Sequence, residues 1–320
     1  MAGLVLVAGS TNTDLVIHCA RLPRPGETAM GGALQTFAGG KGANQAVAAA
    51  RAGARVRFLG AFGDDAFGRA RRAELEREGV DCSGCVEKRN TPGGVALIAL
   101  ARRPKAENLI LVAPGANACL SPEDIQRSAP ELRPGDVLLC SLEVPLPAVL
   151  AALRRAAAAG AMAILNPAPF PRRGLPRRLS DLCDFLTPNE TEFQALCGAP
   201  PGSRRAWRAI SARRSRLKGR GPAILVTRGA RGVDLWDPWA ETAGGGHRAG
   251  YAVPPKVKAV DTVGAGDCFN GCLAAQLALG REVKEAVEFA VTAAALKVSR
   301  HGAQAGMPRR EEVLEQLGTE

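Results

Sequence analysis

The densest run of chemistry-bearing residues is Val260-Asp261-Thr262-Val263-Gly264-Ala265-Gly266-Asp267-Cys268-Phe269-Asn270-Gly271, which leads into a helix-like stretch, Cys272 to Leu279. Small residues feeding directly into a helix leave its first backbone N–H groups without partners, at the positive end of the helix dipole. Such an end cradles an anion, and Gly264 and Gly266 let a phosphate approach the backbone closely. Asp267 then stands where a carboxylate could take the proton of a hydroxyl attacking that phosphate. The chemistry indicated is phosphoryl transfer, with Gly264, Ala265 and Gly266 as the anion hole and Asp267 as the base. A glycine turn with an Asp helix cap would be spelled the same way, so the segment does not decide alone.

Other polar segments point to the same place. Ala38-Gly39-Gly40-Lys41-Gly42-Ala43-Asn44-Gln45-Ala46 is a second glycine-rich entry into a helix, without the spacing of a Walker loop. Asn44 offers both a donor and an acceptor, which suits a sugar hydroxyl. Gly9-Ser10-Thr11-Asn12-Thr13-Asp14 follows the first apolar run, and Asn12 and Asp14 suit either adjacent hydroxyls or an Asx turn. Glu143, the Thr187-Pro188-Asn189-Glu190-Thr191-Glu192 segment and Thr227 to Gly232 each follow a strand-like run too. Polar residues at the ends of several strands are the layout of one shared cleft.

The elements that must position these groups are legible as apolar runs of strand length: Leu4 to Ala8, Val56 to Ala61, Val137 to Cys140, Ala161 to Leu165, Phe185 to Leu186 and Ala223 to Val226. Helical spacing lies between them, as in Ala43 to Ala52, Ala66 to Glu78 and Pro147 to Ala159. Strands buried on both faces and separated by helices predict an α/β fold with a doubly wound, mostly parallel sheet flanked by helices. Two stretches, at about 27–37 and 81–112, carry shorter alternating runs joined by polar turns, which predicts a small separate sheet of antiparallel strands. Inserted early in an α/β domain, that sheet is placed to act as a lid or a dimer surface. No internal repeat is present, and residues 1–320 are expected to form a single domain with this inserted β lid.

Composition narrows the partners. Of 320 residues, 46% are hydrophobic and 23% charged, a balance that fits neither disorder nor a membrane-spanning chain. The net charge of +11 comes mostly from scattered Arg, densest over 203–220. With one Tyr and three Trp, stacking platforms for single-stranded nucleic acid are hard to assemble, so no nucleic-acid partner is expected. Nine Cys show no pairing pattern, and Cys82-Ser83-Gly84-Cys85 has no second ligand pair among three His, so reduced thiols are expected. The N-terminal run lacks a basic leader and reads as a first strand, which with the thiols predicts a cytoplasmic protein, the nucleus being a further compartment in a eukaryotic cell.

Together these segments resemble the ribokinase-like family of carbohydrate kinases, from about Val5 to Pro308. Gly39-Gly40-Lys41-Gly42-Ala43-Asn44 and Asp261-Thr262-Val263-Gly264-Ala265-Gly266-Asp267 match its two signatures, and Asn166-Pro167-Ala168-Pro169 and His301-Gly302-Ala303-Gln304 add to the likeness. The resemblance implies ATP-dependent phosphorylation of D-ribose at its 5-hydroxyl, giving ribose 5-phosphate and ADP; relatives acting on 2-deoxyribose, another sugar or a nucleoside are the alternative. It implies that Asn12, Asp14, Gly39, Gly40, Lys41, Asn44 and Glu143 hold the sugar beside Asp267. Asn189, Thr227, Gly229 and Gly266 would meet the nucleotide, and Glu192 would serve Mg²⁺ through water. It further implies K⁺ as an activator, held mostly by carbonyls of Asp261, Val263, Lys297, Arg300, Gly302 and Gly306, and a homodimer formed through the lid. The chain departs from the pattern at Gly306, where a Ser is frequent, at Val291, where a polar His or Asn is frequent, and in the basic turn at 102–105.

Overall fold

The computed structural model describes residues 2–101, 107–211, 221–237 and 246–318. Half of the Arg-rich 203–220 run, residues 212–220, and the 102–105 turn lie outside them. Fourteen strands are seen among the described residues. In chain order they are β1 (Leu4–Ala8), β2 (Asn12–Cys19), β3 (Gln35–Gly39), β4 (Arg55–Leu59), β5 (Ala61–Gly63), β6 (Val86–Lys88) and β7 (Gly94–Ala101). There follow β8 (Glu107–Ala113), β9 (Val137–Cys140), β10 (Met162–Leu165), β11 (Phe185–Leu186), β12 (Ala223–Thr227), β13 (Val233–Asp237) and β14 (Gly246–Ala252).

Eight of them form the main sheet in the order β14-β13-β12-β11-β10-β9-β1-β4. The six from β12 to β4 run parallel, and β13 and β14 close the far edge antiparallel. Strand alternation sends Val5, Val7, Val137, Leu139 and Ile164 to one face, under the helices Lys41–Arg51, Ala265–Ala278, Val283–Val298 and Arg310–Leu317. Leu6, Ala8, Leu138, Cys140 and Leu165 go to the other face, under Pro122–Ser128, Leu146–Ala158 and Glu190–Cys197. Two apolar faces, each covered by helices, are why these strands read as unbroken apolar runs rather than alternating ones. From β1 the chain moves outward to β4, then returns to β9 on the other side, so the strand order reverses beside β1. The loops after β1 and β9 diverge there, leaving the crevice in which such sheets bind ligands.

The small sheet has the order β3-β2-β7-β8. β2 pairs antiparallel with β3, and β7 with β8, but β2 and β7 run parallel, so the sheet is mixed. Its limits differ from those expected. Asn12–Cys19 is an eight-residue strand, not merely a turn after β1, and Gln35–Gly39 is the only named strand near 27–37. Val86–Lys88 pairs instead with Ala61–Gly63. The β-branched run Val16-Ile17 and the register Asn12↔Gly39 explain the extra strand: pairing carries the polar Asn12 to Asp14 segment directly onto the Gly39-Gly40 entry.

Candidate active site

The Ala265–Ala278 helix starts from Gly264, whose φ of 77° lies in the left-handed region that a side chain resists. That kink opens the helix, and the Ala265 N–H, expected to belong to the anion hole, instead donates back to the Thr262 carbonyl at 3.2 Å, leaving Gly266 and Asp267 as the N–H groups of that turn for an anion. Farther along, Gly271 lies against the Lys41–Arg51 helix so closely that a methyl group there would collide with the carbonyl of Gln45 and the side chain of Ala48. This contact puts the first turns of the two helices together. Lys41, Asn44 and Gln45 share one face of their helix at one-turn spacing, and all three reach Asp267.

Asp267 is buried, with 5% of its surface exposed. Asn44 Nδ2 donates to its Oδ2 at 2.9 Å, Gln45 Nε2 donates to Oδ1 at 3.2 Å, and the Lys41 ammonium lies 3.9 Å from Oδ1. Burial pushes the Asp267 carboxyl above the ordinary carboxylate range, opposed by the charge of Lys41 and the bonds from Asn44 and Gln45, with Glu143 raising it further. The Lys41 ammonium is raised in turn, chiefly by the Asp267 carboxylate. The polar groups behind them form a connected set. Gln304 donates to Asn44 (3.1 Å), Gln45 to Asn166 (3.3 Å), Asn166 to the carbonyl of Thr187 (3.0 Å), Thr187 to Asn270 (2.5 Å) and Asn270 to the carbonyl of Gly266 (2.7 Å).

On the lid side, Ser10 donates to Glu143 at 2.5 Å, joining the loops after β1 and β9, and the N–H of Lys41 donates to the same oxygen at 2.9 Å. Glu143 thus anchors the helix N-terminus with a negative charge. Asn12 accepts from Asn117 (2.8 Å), whose own Oδ1 accepts from the N–H of Thr11 (3.0 Å). Asp14 sits two residues farther along β2, half-buried, and its carboxyl is pushed up to about 6, first by burial and then by Glu143 and Asp267, with Arg71 opposing.

Two adjoining cavities meet at Ala265 and Gly266, and Asp267 lines the smaller. A polar one of about 280 Å³ is lined by Lys41, Asn166, Thr187, Asn189, Glu192 and Asp267, among others. Asn189 and Glu192 cap each other across the start of the Glu190–Cys197 helix, each backbone N–H donating to the other's side chain at 2.9 and 2.8 Å. Burial raises the Glu192 carboxyl, while the Asn189 N–H and Lys41 hold it down. The second cavity, of about 650 Å³, is largely apolar, with Val233, Pro254, Val257, Phe269, Val291 and Ala295 in its walls. Thr227, Thr262, Ala265 and Gly266 line both, and Gly229 lines the larger.

The expected site residues therefore fall into two groups. Asp267, the Gly264–Gly266 loop, Lys41, Asn44, Glu143, Asn189, Glu192 and Thr227 converge, and Asn12, Asp14, Gly39 and Gly40 border them where β2 and β3 pair. Gln45, Asn117, Asn166 and Asn270 had no role assigned from the sequence, although Asn166 and Asn270 stood within segments singled out there and Gln45 lies one helical turn beyond Lys41; Asn117 carried no signal.

The K⁺ set is arranged differently from expectation. Both Asp261 carboxylate oxygens accept backbone N–H groups, from Val263 (2.9 Å) and Gly302 (2.8 Å). The Asp261 carbonyl accepts the Lys297 ammonium at 2.8 Å. The carbonyls of Lys297 and Gly302 accept from Arg300 and Gly306 (3.0 and 3.3 Å). A cation is already present as a side chain, so these residues do not fit a further K⁺.

A family model described as pfkB family carbohydrate kinase matches residues 2–310. The chain belongs to the pfkB family of carbohydrate kinases. It is accordingly a sugar kinase, and its mostly parallel sheet with a separate lid sheet is the ribokinase-like fold. It is 37% identical to a ribokinase of Haemophilus influenzae, covering 99% of each chain, and 37% identical to a deoxyribokinase of Salmonella typhi, covering 98% of each. Among solved structures, Arabidopsis thaliana ribokinase complexed with ribose and ATP matches with a TM-score of 0.82 at 30% identity, over 100% of this chain and 99% of that one. The pfkB kinase shows no helix, among its described residues, long and apolar enough to cross a membrane.

Proposed function

We propose that the protein transfers the γ-phosphoryl group of ATP to the 5-hydroxyl of D-ribose, giving ribose 5-phosphate and ADP. The observation that carries this reading is the buried Asp267 carboxylate, raised and held at the start of a helix between a polar cavity and the Asn12–Asp14–Glu143 cluster. Asn12, Asp14, Asn44 and Glu143, with the Gly39-Gly40-Lys41 backbone, bind the sugar hydroxyls. Asp267 accepts the proton of the attacking hydroxyl, and its raised carboxyl suits that work near neutral pH. The N–H groups of Gly266 and Asp267, and the Lys41 ammonium, stabilise charge on the transferred group. Thr227, Gly229 and Asn189 line the way to the larger cavity, which takes the purine.

Glu192 and Asp267 face the same polar cavity, and among the described residues no cluster of three or more His, Cys, Asp or Glu could cage a metal. That donor set fits Mg²⁺, which keeps its waters and is held through one or two carboxylates and substrate phosphates. When bound, the ion neutralises phosphate charge. Leu97, Leu109 and Leu111 are exposed on one face of the small sheet and Phe37, Ile110 and Val112 on the other, apolar surface that supports a homodimer formed through the lids.

A coupled assay of ATP consumption with ribose and Mg²⁺ tests the reading; turnover that does not respond to ribose overturns it. A second reading, 2-deoxyribose as substrate, is favoured by the deoxyribokinase relative at equal identity. Comparing kcat/KM for the two sugars decides between them.

A further inference from the structure

We propose that Lys297 is the built-in monovalent cation of this kinase: its ammonium holds the loop that forms the anion hole, and the enzyme works without K⁺. The inference rests on the kinase reading, of which it specifies the ion requirement. Lys297 lies in the last turn of the Val283–Val298 helix, where a cation is favoured by the helix dipole. Its side chain is fully buried, with 0% exposure, and its Nζ donates to the Asp261 carbonyl at 2.8 Å with the Asp261 carboxylate 4.0 Å away. A buried ammonium is stable only with such partners.

The same loop is tied to the same helix by backbone bonds. The N–H groups of Val260 and Asp261 both donate to the Val298 carbonyl, at 2.7 and 3.1 Å, and Gly302 N–H reaches the Asp261 carboxylate. Three residues beyond Asp261 the chain makes the Gly264 kink and starts the turn that carries Asp267. Lys297 therefore acts as a positioning residue, one loop away from the reacting atoms. A K⁺ ion seeking the Asp261 carbonyl would meet an ammonium already hydrogen-bonded there, and like charges repel strongly where water is excluded.

Turnover of the wild-type protein at saturating sugar and Mg-ATP is expected to be the same in K⁺ and in tetramethylammonium at equal ionic strength. Lys297→Ala and Lys297→Met are expected to lose about 10²-fold in tetramethylammonium, the loss that a misplacement of order 1 Å brings. K⁺ or NH₄⁺ is expected to restore them saturably, by filling the space the ammonium leaves. Thermal melting without substrates supplies a reading independent of turnover: K⁺ raises the Tm of the variants over tetramethylammonium and leaves wild type unmoved. Saturable activation or stabilisation of wild type by K⁺ overturns the proposal, and so does loss in folded variants that no monovalent ion repairs. If neither variant folds, the wild-type titration alone decides. Absence of any sugar-kinase turnover would sink the functional reading while leaving the melting test intact.

Discussion

The two cavities that meet at Ala265 and Gly266 are built on opposite principles. In the smaller, side chains hold one another: Gln304, Asn44, Asp267, Gln45 and Asn166 form an unbroken line of hydrogen bonds, and Thr187 and Asn270 carry it to the Gly266 carbonyl. Each group fixes the next, so the carboxylate has one position. In the larger, Val233, Phe269, Val291 and Ala295 supply shape and apolar area with no such mutual bonding. Phosphoryl transfer is mostly a matter of alignment and placed charge, so precision is needed at the first cavity. Holding a flat base needs only burial, which tolerates variation.

Asp267→Ala should break the comparison most sharply. It removes the proposed base and the partner of Lys41, Asn44 and Gln45 together, and kcat is expected to fall by about 10⁴-fold, the upper end of what a positioned base contributes. The KM for ATP should change little, because the larger cavity, proposed for the purine, is untouched. Steady-state kinetics of the variant check this, and a substantial residual rate would remove Asp267 from its role.

Gly271→Val tests whether the polar cavity depends on helix approach. The added groups would meet the Gln45 carbonyl and force the Lys41–Arg51 helix away. Overpacking of this kind costs about 1–3 kcal/mol, and the outward shift of Asn44 and Gln45 should lower kcat by about 10²-fold. Chemical denaturation and kcat are the measurements; a variant with wild-type kcat would show that Asp267 is held without its neighbours.

Asp14 adds a pH signature. Its carboxyl titrates at about 6 in the folded protein against an ordinary 3.8, so kcat/KM for the sugar is expected to rise with pH through about 6 as the acceptor carboxylate forms. The stability effect has the opposite sense. Between the two values the unfolded chain gives up the proton while the folded one keeps it, so burying Asp14 makes folding less favourable as pH rises through that window. Asp14→Asn should therefore melt higher than wild type at pH 7, with the difference vanishing toward pH 4, while its sugar KM rises. Melting curves across pH test the sign directly.

The parts of the site that were legible in the sequence are those in which function depends on backbone entry into a helix. Gly264-Ala265-Gly266-Asp267 and Gly39-Gly40-Lys41 announce themselves because small residues before a helix are rarely needed otherwise. The six parallel strands were legible because burial on both faces leaves no alternation to confuse. What long-range pairing creates was not. Asn117 meets Asn12 across 105 positions, and nothing local in Gly115–Cys119 marks it. β2 was hidden because its first residues are polar, and only pairing with Gly39 and Gly94 makes them strand. At Lys297 the position was singled out for its carbonyl, but the direction of a long side chain is set by packing, and here it turns inward to Asp261.

Val291 is where the comparison makes its smallest and most delicate claim. It lies in the wall of the larger cavity, with 5% of its surface exposed. An apolar slot separates ligands of similar shape weakly, by about 1–3 kcal/mol, so wild type is expected to use ATP and GTP with kcat/KM values within about 10–200-fold of each other. Val291→Asn introduces a donor and an acceptor that can tell the two purines apart. The ratio should move while kcat at saturating nucleotide stays near wild type, because the Asp267 network does not extend to Val291. A wild-type preference of about 10⁴ or more would mean that the base is read by hydrogen bonds, as only sites built to pair a polar edge discriminate so strongly. The contrast between a cavity that positions and a cavity that merely encloses would then be lost, and the backbone near Thr227 and Gly229 would be the place to look for the reader.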